Sequence, residues 1–320
     1  MKKILLSAGL ILMLFSCQNE ETLNSNSSEQ AVARRGCATN EVFQAQLAAD
    51  PTLAIRMNQI EEFTQKAKLT GKLVNGKVVI PVVVNVLYRT AAENISDALI
   101  QSQIDVLNKD FTATNADFSS TPALFAGVAA NVGITFELVK INRKSTTKTS
   151  WGTRDAMKKT NQGGIAPTSP SNTLNLWACT IGGGILGYAQ FPGGAAATDG
   201  VVIDSKYFGV TSNSGTSYPY NLGRTASHEV GHWMNLRHIW GDATCGSDLV
   251  ADTPTQTTAN YGTPTYPLYN TCGGVSRSVM FMNYMDYVND ASMVMFSAGQ
   301  RDRMQAVVAS TGVRAGLRNL

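Results

Sequence analysis

All three histidines of this 320-residue chain fall within eleven consecutive positions, His228-Glu229-Val230-Gly231-His232-Trp233-Met234-Asn235-Leu236-Arg237-His238. Histidines four apart share one face of a helix and can hold a single metal ion between their imidazoles. Glu229 follows the first of them and can reach a water in the metal's open position, where a hydrolytic zinc site needs its general base. His238 stands six residues beyond His232, out of reach if the helix simply continues. The chain must therefore turn near Asn235, and Asn is the non-glycine residue that best tolerates a left-handed turn. A chance H-E-x-x-H is a real risk, and it would leave three unrelated solvated or core histidines. Unrelated histidines would not all fall so close together. The stretch reads as a zinc site, with His228, His232 and His238 as ligands and Glu229 as base.

The elements that position this stretch begin after an export signal. Met1-Lys2-Lys3 is basic, residues 4–15 are apolar and Ser16 is a polar boundary: a signal peptide over 1–16, too short to span a membrane. Cys17 follows directly, as in a lipobox, and can carry a lipid anchor; the alternative is an ordinary cleaved signal with an incidental cysteine. Residues 17–30 are rich in Asn, Ser and Glu and read as a disordered tether. A helix-like stretch over 40–68, broken at Asp50-Pro51, completes a segment 31–70 that carries Cys37. A thiolate is a good zinc ligand, so Cys37 can close the open metal position and keep an enzyme latent; a free thiol or a disulfide partner are the competing readings.

From residue 71 the composition becomes that of a packed domain. Residues 78–88 are β-branched and nearly continuous, as in a buried strand, with Pro81 near its start. Ser96 is a predicted N-cap, followed by an apolar stripe of Ile100, Ile104, Leu107 and Phe111. Residues 134–141, 174–180 and 201–204 read as further strands. Gly182-Gly183-Gly184 lacks the Lys-Ser/Thr of a phosphate loop and reads as the turn into an edge strand over 187–191. The expected class is α+β: an upper α/β-type subdomain with a twisted mixed sheet running to about residue 234, the zinc helix, and a loop-rich lower subdomain over 235–320.

The lower part is rich in Gly, Thr, Pro and Asn over 242–274, with Cys245 and Cys272 as a predicted disulfide in an oxidising compartment. Asp242, Asp248 and Asp252 offer hard oxygen ligands that could bind calcium, or are simply solvated. A last helix is predicted from Ser297, with Gln300 closing its capping box. With 43% hydrophobic and 15% charged residues, the chain can bury a substantial core. A net charge of +3 without a basic stripe gives no reason to expect nucleic acid as a partner.

Beyond the histidines, HEVGHWMNLRHIWGD resembles the pappalysin branch of the metzincins, as do ISDALIQSQIDVLNKDF, LGYAQFPGG, VADTP, MNYMDY and MFSAGQRDRM. The resemblance spans roughly residues 75–318 and implies a zinc endopeptidase, monomeric and acting on proteins or peptides, with its zinc helix along a substrate cleft. It implies that Gly187, Tyr188, Ala189 and Gln190 pair with bound peptide by strand addition. Met285 would be the methionine packed beneath the metal, and Tyr287 the tyrosine that stabilises the transition state. Arg34-Arg35-Gly36-Cys37 is similar to the family's propeptide cysteine switch.

Two departures stand out. Asn235 replaces a glycine common in metzincins, and Ala291 falls near where relatives carry an acid that selects arginine after the cut. Asp290 is adjacent and can take its place: pointing in, it favours Arg or Lys; pointing away, it leaves an apolar pocket that accepts Leu, Phe or Met. The expectation is a loosened preference. Two other function classes share the histidines: a binding or adhesion lipoprotein with structural zinc, and a non-peptidase zinc hydrolase. Glu229 opposes the first, because a structural site needs a fourth ligand and no base. The MNYMDY motif and the edge strand oppose the second.

Overall fold

The computed structural model describes residues 34–70, 78–212 and 215–318; the predicted signal, Cys17 and the tether lie outside them. Two helices come first, α1 (Thr39–Ala49) and α2 (Thr52–Thr70), then β1 (Val78–Tyr88), α3 (Asp97–Phe111), the short α4 (Ala123–Ala126), β2 (Ala129–Ala130) and β3 (Ile134–Ser145). There follow β4 (Leu174–Cys179), β5 (Gly187–Ala189), β6 (Val201–Asp204) and α5 (Arg224–Trp233). The last elements are β7 (Tyr269–Cys272), β8 (Val275–Ser278), β9 (Phe296–Ser297) and α6 (Ala298–Val307).

Five strands form one sheet in the order β3-β1-β4-β6-β5. Only β5 at its edge runs antiparallel. The valine run of β1 sits inside this sheet because both its faces are covered, so continuous rather than alternating hydrophobicity is what burial requires. Pro81 lies near the start of β1, one residue before pairing with β4 begins at Val82, a position where a strand tolerates proline. On one face lies α3, its first turn capped by Ser96, which accepts from the Leu99 N–H at 3.1 Å. Its stripe of Ile100, Ile104, Leu107 and Phe111 is buried as the period demands.

Every residue of α5 is buried. The helix ends in a Schellman turn: the Leu236 N–H donates to the Gly231 carbonyl at 3.0 Å and the Asn235 N–H to the His232 carbonyl at 2.9 Å. Asn235 takes the left-handed conformation this turn needs, with φ +74°. Below the turn the chain is mostly irregular, stapled by the Cys245–Cys272 disulfide. The hairpin of β7 and β8 was not foreshadowed: its outward faces carry an exposed Tyr269 and Val275, without the alternation that marks a half-buried strand. The edge strand ends at Ala189, short of the expected 187–191, although the Gln190 N–H still donates to the Gly200 carbonyl at 3.1 Å. At the far end α6 starts with the capping box of Ser297 and Gln300.

The left-handed turn generates a stability prediction. Asn235→Gly should hold the thermal midpoint at or above wild type, since it relieves left-handed strain and removes a buried side-chain nitrogen, Nδ2, that has no hydrogen-bond partner. Asn235→Val should lower stability by about 1–2 kcal/mol. Thermal unfolding of both variants checks the pair of outcomes.

Candidate metal centre and substrate cleft

The helix and its terminal turn bring three imidazoles to one point. The Nε2 atom of His232 lies 3.2 Å from that of His228 and 3.1 Å from that of His238. Each Nδ1 is turned away, to an acceptor that sets the ring's orientation. His228 Nδ1 faces the Tyr284 carbonyl at 2.7 Å, His232 Nδ1 the Leu236 carbonyl at 2.8 Å, and His238 Nδ1 the Asp242 carboxylate at 2.5 Å. With the proton on Nδ1, all three Nε2 lone pairs are free to bind a cation. Burial and the neighbouring imidazoles push His228 well below the usual histidine range and His232 down to about 3, so both rings are neutral, as ligands must be.

The fourth position holds Cys37. Its Sγ lies with the three imidazole nitrogens in a buried group whose ligand atoms are all within 4.8 Å of one another. Three nitrogens and a sulfur at tetrahedral scale fit zinc and suit hard cations poorly. Burial, then the charge of Glu229, push the Cys37 thiol up; a cation among these ligands would act in the opposite sense.

Beside this group Glu229 is buried, accepting from Thr39 Oγ1 at 2.9 Å and facing Cys37 Sγ at 3.4 Å. Burial raises its carboxyl to about 7, against the lowering effect of the Cys37 and Thr39 bonds and of Arg35. Gly187 abuts it: a Cβ there would lie 3.0 Å from Glu229 Cγ, so the edge strand needs glycine at this position. Met285 lies beneath the helix, its Sδ only 2.5 Å from where a Cβ on Gly231 would stand. Tyr287 rests beside His228 and His238, its hydroxyl donating to the Cys37 carbonyl at 3.4 Å.

The segment around Cys37 adds a strand to the sheet edge. The Leu186 N–H donates to the Gly36 carbonyl at 2.8 Å and the Ala38 N–H to the Gly187 carbonyl at 3.1 Å, in parallel orientation. In extended chain Arg35 and Cys37 share a face, and both point into the cleft. Arg35 is held by Asp290, by Thr225 Oγ1 at 3.2 Å and the Val288 carbonyl at 3.3 Å, with its guanidinium 4.8 Å from the Tyr220 ring centre. Asp290 itself accepts from the N–H groups of Leu222 and Arg224 at the start of α5, a favourable place for an anion.

The comparisons with known proteins agree with this geometry. The family model described as pregnancy-associated plasma protein-A, of peptidase family M43, matches residues 178–309. An extracellular metalloprotease of Colletotrichum graminicola is 32% identical over 282 residues, covering 84% of this chain and 88% of the relative. The chain belongs to the M43 peptidases. Among solved structures, mature mirolysin of Tannerella forsythia with a cleaved peptide is 44% identical, covering 77% of this chain and 97% of its own, with TM-score 0.73. A promirolysin mutant from the same organism is 39% identical, covers 89% of this chain and 97% of its own, and has TM-score 0.80. As an M43 peptidase the protein is a zinc metalloendopeptidase, made as a latent zymogen.

In this M43 chain the expected calcium set does not assemble. Asp242 faces His238; Asp248 accepts from the Val250 N–H at 3.1 Å and Thr253 Oγ1 at 2.8 Å; Asp252 accepts from Ser297 Oγ at 2.7 Å and the Gly299 N–H at 2.8 Å. Each carboxylate is engaged by separate protein donors, and among the described residues the three do not form a common group of ligand atoms. Of the two orientations open to Asp290, the structure shows the inward one, with its carboxylate on the Arg35 guanidinium. Of the edge-strand residues, Tyr188 points away from the cleft, its hydroxyl donating to Asp155 at 3.0 Å, and Gln190 faces inward. Their side chains are therefore unavailable to a peptide along that edge.

Residues that the sequence reading passed over complete the cleft. Thr39 ties Glu229 to the edge strand by accepting from the Ala189 N–H at 2.8 Å. The ring of Trp240 stacks on His238 with centroids 4.3 Å apart. Helix α2 is clamped across the far side, where Arg303 of α6 donates to Glu61 at 2.8 and 3.0 Å. Thr39, two residues after Cys37, is on the same face of extended chain, which was a usable signal for the first of these contacts; the Glu61 pairing left none.

Proposed function

We propose that this zymogen is exported and, once freed of residues up to about 70, cuts proteins on the N-terminal side of arginine, with lysine as the lesser choice. Residues 31–70 act as propeptide, 71–320 as the catalytic domain, and Cys17 as a lipid-anchor site. Export is supported by the extracellular designation of the fungal relatives and by the signal-like N-terminus. The observation that carries the reading is how the propeptide lies in the cleft. Cys37 stands with the three imidazoles while Arg35, two residues earlier, fills the Asp290 pocket.

Zinc supplies Lewis acidity, polarising the scissile carbonyl and making water acidic enough to deprotonate near neutral pH. His228, His232 and His238 would hold it through their convergent Nε2 atoms. Glu229 takes the proton of the attacking water and passes it to the leaving amine, and its elevated affinity for protons suits both halves of that transfer. The Tyr287 hydroxyl, which here donates to the Cys37 carbonyl, would donate equally to the oxyanion developing on a substrate carbonyl. Met285 supports the imidazoles from below. Backbone groups of β5 bind extended peptide by strand addition.

Direction explains why the propeptide survives in the cleft. It runs parallel to β5, so its arginine precedes the residue at the metal. A peptide whose arginine follows its scissile bond enters the same pocket only when running the opposite way. The propeptide thus borrows the specificity pocket while presenting Cys37, and no scissile carbonyl, to the metal.

Three outcomes are expected. Glu229→Gln should retain zinc and lose kcat by on the order of 10²–10⁴-fold, checked by metal analysis and peptide hydrolysis on one purified, processed sample. Cys37→Ala should leave the full-length chain measurably less latent than wild type; unchanged latency means that the thiol is no switch. Asp290→Ala should cost arginine-directed cleavage about 2–5 kcal/mol in kcat/KM, because a guanidinium buried there loses its partner. Peptide-library profiling reads that loss, and an undiminished arginine preference would remove Asp290 from the selecting role.

A further inference from the structure

The three imidazoles are oriented by unequal partners. The Nδ1 atoms of His228 and His232 face neutral backbone carbonyls, of Tyr284 and Leu236, as N–H donors in the ligand tautomer. The Nδ1–H of His238 is donated instead to a carboxylate, Asp242 Oδ1, at 2.5 Å. We propose that Asp242 is a positioning residue for the third zinc ligand, forming a carboxylate–histidine–metal relay that sets both the ring's orientation and the strength of its Nε2 as a donor. The proposal deepens the zinc-peptidase reading and rests on it.

Local backbone is bent specifically to deliver this contact. Asp242 lies four residues after His238, but the segment is not helical, so the i, i+4 neighbourhood of a helix is not what brings the carboxylate back to the ring. Two consecutive left-handed residues do so, Gly241 at φ +64° and Asp242 at φ +57°. The Gly241 N–H closes the turn on the His238 carbonyl at 2.8 Å. Glycine is required there, since a Cβ on Gly241 would come within 2.5 Å of the Ser247 nitrogen. Aspartate in a left-handed conformation is uncommon, and such strain persists where the surroundings hold it. Just beyond, Cys245 ties the same loop to Cys272.

Trp240 works on the same ring from another side, stacked at 4.3 Å with planes 7° apart. The indole face and the carboxylate together restrict the orientation of the His238 ring. The ring needs this hold more than its fellows: His228 and His232 are fixed by a helix, whereas His238 sits in an irregular loop. A carboxylate on Nδ1 also raises the basicity of Nε2 and adds negative charge next to a cation.

The test measures zinc affinity, with no recourse to turnover. Full-length wild type, Asp242→Asn, His238→Ala and the double variant are titrated with zinc at equilibrium against a chromophoric chelator. Thermal midpoints of the metal-free proteins are recorded alongside. Asparagine keeps the size and one oxygen acceptor and removes the charge. The expected result is a zinc affinity weakened roughly 10–100-fold in Asp242→Asn, with the metal-free midpoint unchanged. In the His238→Ala background the same substitution should change nothing further, because Asp242 acts through His238. Wild-type affinity in Asp242→Asn overturns the proposal, as does an equal loss in both backgrounds, which would mark Asp242 as a general structural residue. A wild-type chain that takes up no zinc would instead overturn the zinc reading itself, so the two failures are distinguishable.

Discussion

Three Nδ1 hydrogen bonds, each to an acceptor outside the metal group, are the constraint on which the rest of the cleft depends. They turn three Nε2 lone pairs toward one another, and without a cation that concentration of like dipoles in a buried site is unfavourable. The cost is met by elements that are themselves over-determined. A helix with every residue buried carries two of the rings, and a Schellman turn at Asn235 redirects the chain toward the third. Gly231 keeps the helix slim enough for Met285 to lie directly against it. The same Met285 segment offers the Tyr284 carbonyl to His228, so the support beneath the site and the orientation of a ligand are one structure.

Around this group the zymogen uses the features that substrate recognition requires. The sheet edge, the Asp290 pocket and the position beside the three imidazoles are all occupied by Arg35 to Thr39, running parallel to β5. Occupying existing recognition sites lets a short segment block the cleft without a dedicated interface. Helices α1 and α2 add further hold, through the edge-to-face contact of Phe43 with Phe191 and the Glu61–Arg303 pair. Arg303 also donates to the Asn235 and Leu249 carbonyls, so part of its hydrogen bonding does not depend on α2.

Much of this was legible in the sequence wherever the determinant is local. The spacing of His228, His232 and His238 encodes the shared helix face, and Asn235 announces the turn. Ser96 and Ser297 mark helix starts through side-chain oxygens that serve their own first turns. What escaped is non-local. Arg35 and Asp290 are 255 positions apart, and nothing in either neighbourhood names the other. Read alone, Asp290 was as compatible with an apolar pocket as with an acidic one. The aspartates after His238 looked like calcium ligands because composition records which oxygens are present, whereas backbone direction decides where they point. Two left-handed residues send Asp242 to an imidazole, and the Thr253 hydroxyl and the start of α6 take up the other two.

The central claim is that one zinc ion sits among three imidazoles and is capped by the propeptide thiol. Anomalous diffraction at the zinc absorption edge, from crystals of the full-length chain, tests this most directly. The account predicts a single peak about 2.0–2.1 Å from the Nε2 atoms of His228, His232 and His238 and about 2.3 Å from Cys37 Sγ. A peak elsewhere, or zinc on the three nitrogens with Cys37 turned away from it, would contradict the account.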